Sequence, residues 1–158
     1  MRRLVPLVLF TALAGTSTAA PAPSQAGAML RFMKGDCDRL ALAGRSRATC
    51  KPQLVNLVYA SGAVSFVFAG QDGRLLSFRS RVDRSVGFQT SLKVDQVTTV
   101  TRGGGGFDTR PARGTCTLTP FAVDRSRVDC AAKTASGSFA GQFRTSDEAP
   151  RVLTLASR

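Results

Sequence analysis

The sequence predicts an all-β fold: a single small antiparallel β-sandwich or barrel-like domain of about eight short strands, with two structural disulfides. Three observations predict it. Apolar runs are short, rich in Val, Phe and Thr, and separated by Gly or Asp-Gly every 8–12 residues or so. No window longer than about ten residues carries a capped i, i+3, i+4 apolar stripe, so no helix competes. Four cysteines stand as two close pairs, Cys37/Cys50 and Cys116/Cys130, with 12 and 13 residues between partners.

The elements follow in order. Val55–Ala60 and Ala63–Ala69 flank Ser61-Gly62, the strongest hairpin signal, with Val64, Phe66 and Phe68 on one face. Asp72-Gly73 turns the chain into a strand over Arg74–Val82, where Leu76, Phe78, Ser80 and Val82 point inward and Ser77, Arg79, Arg81 and Asp83 outward. Ser91–Thr101 is a strand whose apolar phase slips near Gln96. Gly103–Gly106 is a loop, and Gly114–Thr119, Arg127–Ala131, Gly137–Arg144 and Val152–Leu155 complete the set.

The amino terminus is read as a secretory signal over residues 1–19. A basic start (Arg2, Arg3) precedes an apolar run of about 11 residues and then small residues, with cleavage after Ala19 or, alternatively, Ala20 or Ala22. The run is far short of the roughly 20 residues that span a bilayer, so no transmembrane anchor is expected. Residues 20–28, rich in Pro, Ala and Ser, form a disordered lead-in, and residues 29–158 form the single domain. A periplasmic or secreted, soluble, monomeric bacterial protein is the expectation.

The cysteines suit that address. Four allow three connectivities, and the near-equal spacings favour the local pairs Cys37–Cys50 and Cys116–Cys130. In the later pair Cys116 and Leu118 face Cys130 and Val128. In the earlier one Cys37 is out of phase with Leu40 and Leu42, which requires a bulge or an irregular start.

The sequence contains no His, which excludes Ser-His-Asp and Cys-His catalysis and the common metal triads. No cofactor motif is present: Arg102–Phe107 is glycine-rich but lacks the Lys-Ser/Thr of a phosphate loop. Asp36 and Asp38, flanking Cys37, read as turn residues, and no SxxK motif supports a Ser-Lys dyad. A non-catalytic binding module is the primary expectation. The alternatives are an exported enzyme using Asp carboxylates on glycans, or an inhibitor of an acidic secreted hydrolase.

Net charge is +12, with 18 Arg against 4 Lys, a skew that genome composition alone would produce in part. RSRVD occurs at Arg79–Asp83 and Arg125–Asp129, and a third RSR at Arg45–Arg47. Period-two alternation places Ser46, Ser80 and Ser126 inward and Arg45, Arg47, Arg79, Arg81, Arg125 and Arg127 outward. These six are the candidate anion-binding residues, for an anionic envelope component or an acidic protein. Nucleic acid is disfavoured by the absence of Trp, the single Tyr and the inward placement of most Phe.

Overall fold

A computed structural model describes residues 28–45, 49–101 and 105–155. The signal, most of the lead-in, Ser46 and Arg47 lie outside them. Nine strands follow one another: β1 Ala28–Ala41, β2 Cys50–Val58, β3 Ala63–Gly70, β4 Leu75–Val86, β5 Gln89–Val100, β6 Phe107–Ala122, β7 Arg125–Thr134, β8 Gly137–Thr145 and β9 Arg151–Leu155. Strands β2 to β8 pair antiparallel in sequence order, β8 pairs with β1, and β1 pairs back to β2, closing an eight-stranded barrel. Of the two predicted architectures, the barrel is the one formed. The ninth strand, β9, pairs only with the amino-terminal half of β1, beyond the point where β8 leaves it.

The turns on either side of β3 are those that the glycines dictate. Between β2 and β3 the Gly62 amide donates to the Tyr59 carbonyl. Between β3 and β4 the Gly73 amide donates to the Gly70 carbonyl in the same way. Gly62 and Gly73 have φ of 77° and 81°, left-handed values that a side chain resists. In the second turn Asp72 also accepts hydrogen bonds from the Arg74 backbone amide and guanidinium.

Eight strands enclose a space that side chains just fill. The interior holds Phe66, Phe68, Phe78 and Phe143 with Leu40, Leu54, Leu76, Leu92, Val94, Val97 and Val128, all almost fully buried. Phe68 and Phe78 meet edge to face, with ring centroids 5.9 Å apart. The Phe68 ring reaches across the barrel to the backbone of β8. A methyl on Gly141 would lie 2.7 Å from it, so only glycine fits there. Two buried polar side chains are satisfied: Asn56 donates to the Ser65 carbonyl and Ser80 to the Val64 carbonyl.

Both disulfides join cross-strand positions. Cys116 and Cys130 are direct partners on β6 and β7, with Cα atoms 4.0 Å apart and Leu118 opposite Val128, as the alternation predicts. Cys37 and Cys50 continue the β1–β2 register three residues beyond its last ladder pair, Lys34 with Gln53. Pro52, which has no amide to donate, lies in that unladdered stretch. Of the bulge or irregular start that the cysteine phase required, the bulge is the one formed: the register of β1 against β8 shifts between Cys37 and Arg39. The predicted slip at Gln96 is also present, as register shifts on both sides of β5.

Three expectations are corrected. Asp36 and Asp38 lie within β1, not in a turn. The strand expected at Gly114–Thr119 begins at Phe107 and crosses Pro111, which sits at an irregularity opposite Gln96, where a missing amide is tolerated. Val82 is exposed, not inward. Ladder pairing with β3 ends at Ala63 opposite Arg81, so β4 beyond that residue loses its neighbour and its cover.

Candidate anion-binding groove

The five RSR arginines among the described residues do not share a face. β4 and β7 are separated by β5 and β6 in the ring. Arg79 is half-buried on β4, while Arg81 lies 3.9 Å from Asp95. Arg127 is engaged by Asp129 at 2.9 Å, and Arg125 stacks 5.6 Å over the Phe121 ring near the β6–β7 turn. Arg45 sits at the opposite end of the barrel, where the turn after β1 hydrogen-bonds to β8 through the Gly44 amide and the Ser138 carbonyl. The inward half of the alternation holds for Ser80, which is buried, and Ser126, which is half-buried at the barrel mouth.

A different arrangement of cations emerges from the strand registers. On the outer face, Thr115 of β6 is opposite Ala131 of β7, Ala131 is opposite Ala140 of β8, and Ala140 is opposite Ala41 of β1. Four small side chains thus form a row that crosses four strands. The row on one side carries Arg113, Lys133 and Ser138, and leads on to Arg45. The row on the other side carries Thr117, Asp129, Gln142 and Arg39. Because side chains on one face recur every second residue, long walls flank a floor of methyl groups. The result is an open depression of about 1100 Å³ lined by Arg39, Arg45, Arg113 and Lys133, with Asp38 also in its lining. Lys93, the partner of Thr115 on β5, continues the row beyond its β6 end.

The nearby carboxylates are already engaged. Asp38 accepts two hydrogen bonds of 2.8 Å from the Arg144 guanidinium, with Asp36 at 3.9 Å from the same group. This arrangement holds the Arg144 pKa above its ordinary value, first through the hydrogen bond to Asp38 and then through its charge. Asp129 is held by Arg127. The two carboxylates flanking Cys37 therefore bind an arginine, and the four groove cations have no carboxylate within ion-pairing distance among the described residues.

Of the six arginines singled out from the sequence, five lie among the described residues, and of those five Arg45 alone lines this groove. Arg39, Arg113 and Lys133 were missed because nothing in the linear sequence joins them. They stand on three strands and meet only through register. The available signal was the run of small outward residues at Thr115, Ala131 and Ala140 among otherwise bulky or charged outer positions. No family model, curated protein or solved structure matches the chain.

Proposed function

We propose that the protein is an exported, non-catalytic binding module, periplasmic or secreted, that holds an anionic ligand in the groove across β6, β7, β8 and β1. One observation carries this reading: four cations wall a depression in which the lining carboxylate Asp38 is paired with Arg144 and the adjoining Asp129 with Arg127. Guanidinium groups suit carboxylate, sulfate and phosphate because their planar fork donates two parallel hydrogen bonds. The two disulfides are consistent with an oxidising, extracytoplasmic setting, and the basic, apolar and small-residue layout at the amino terminus supports export.

The test compares two variants of equal charge. R39Q/R45Q/R113Q/K133Q removes the groove cations, and R79Q/R81Q/R125Q/R127Q removes four arginines elsewhere. On immobilised heparin the groove variant should elute at markedly lower salt than the wild type and the second variant near it, with circular dichroism unchanged. Equal elution of the two variants would show that diffuse charge, not the groove, does the binding.

A further inference from the structure

Resting on that reading, we infer that the ligand of the groove is a single extended chain of an acidic polysaccharide, seated along the row Thr115–Ala131–Ala140–Ala41. The dimensions select an extended ligand. Four neighbouring strands spaced about 4.8 Å apart make a row about 14 Å long. The walls stand two residues away along the strands on either side, about 7 Å from the floor row. That space admits one slim polymer chain.

The chemistry selects a sugar chain over other polyanions. Three alanine methyls present an apolar floor, which suits the C–H face of a pyranose ring. Thr115, Ser138 and Gln142 line the same depression and offer hydroxyl and amide groups to ring hydroxyls. The four cations stand to the sides, where the carboxylate or sulfate substituents of such a chain project. Single-stranded nucleic acid needs aromatic surfaces on which bases stack. The groove offers none, because its one aromatic, Phe139, is only 6% exposed and belongs to the core. A compact anion such as inorganic phosphate would use the cations but leave the methyl floor idle.

The floor can be filled without touching a charge. Ala131 and Ala140 are outer-face positions on adjacent strands, where aromatic cross-strand pairs are well accommodated. The variant A131F/A140F should therefore fold, keep every cation and block the seat. The assay is isothermal titration with a heparin hexasaccharide, with neutral maltohexaose and a dT oligomer of similar length alongside, and elution from a sulfonate exchange resin as a measure of bulk charge. The wild type should bind the heparin fragment and not maltohexaose. A131F/A140F should weaken that binding at least tenfold while eluting from sulfonate as the wild type does. Unchanged hexasaccharide binding by A131F/A140F would overturn the seated-chain inference and leave the groove cations to be judged by the four-glutamine comparison. Binding of the dT oligomer as tight as that of the hexasaccharide, and lost in the same variant, would overturn the assignment to a glycan.

Discussion

Removing either disulfide should cost the same if loop closure alone matters, yet the structure predicts different losses. The bridges span 13 and 14 positions, and loops of that size are worth about 3 kcal/mol each in the chain-entropy model. For a domain of this size an unfolding entropy of about 2.1 cal/mol/K per residue makes that a fall in Tm of roughly 10 °C. Burial separates the two cases. Cys116 and Cys130 are 0% and 2% exposed, so C116A/C130A also leaves a void in the core, adding on the order of 1–2 kcal/mol. Cys37 and Cys50 are only partly buried, so C37A/C50A should stay near the entropic value. The local consequences should run the other way. Cys116–Cys130 lies inside a continuous ladder, whereas Cys37–Cys50 holds β1 to β2 where ladder pairing has stopped. Amide exchange over 34–37 and 50–53 should accelerate in C37A/C50A and not in C116A/C130A. Urea unfolding with fitted midpoints and slopes measures the global difference. Equal global losses, or matching exchange patterns, would refute the argument.

Two further outcomes follow from single contacts. Gly141→Val should destabilise by about 1–3 kcal/mol, because its Cβ would lie 2.7 Å from the Phe68 ring. Pairing it with Phe68→Leu should recover part of the loss, and no recovery would mean that the ring is not the obstacle. The Asp72 carboxyl, hydrogen-bonded by the Arg74 guanidinium and then by the Arg74 amide, is held below its ordinary value of 3.8. Its contribution to stability is therefore present above that value and fades as pH falls through the lower folded-state value. Carbon-detected NMR should show its midpoint rising in Arg74→Ala, and an unmoved midpoint would remove the guanidinium as the cause.

Much of the fold was legible locally. Ser61-Gly62 and Asp72-Gly73 announced their turns because left-handed backbone is cheap only for glycine. The slip at Gln96 and the bulge after Cys37 were readable because a strand has a strict period of two, so any apolar residue out of phase must be absorbed by an irregularity. The amino-terminal part of β1 was not read as a strand, and Asp36 and Asp38 were read as turn residues; pairing with both β2 and β8 overrides that preference. The start of β6 was hidden by Pro111 for the same reason. Val82 failed because alternation says which way a side chain points but not whether a neighbouring strand extends far enough to cover it.

The candidate site divides along the same line. By itself the sequence determined strand alternation, turn positions and the outward side of exposed RSR arginines such as Arg81, Arg125 and Arg127, and it favoured the pairing of cysteines at matched spacing, all properties of a residue and its near neighbours. Only the tertiary structure decided that the sheet closes as a barrel, that Arg79 and Arg127 stand on separated strands, and that Arg39, Arg45, Arg113 and Lys133 wall one groove. Those outcomes depend on which strands become neighbours and on the register in which they pair. Register is set by the packing of Phe66, Phe68, Phe78 and Phe143 within a shared interior, where a shift of one residue would turn every buried side chain outward.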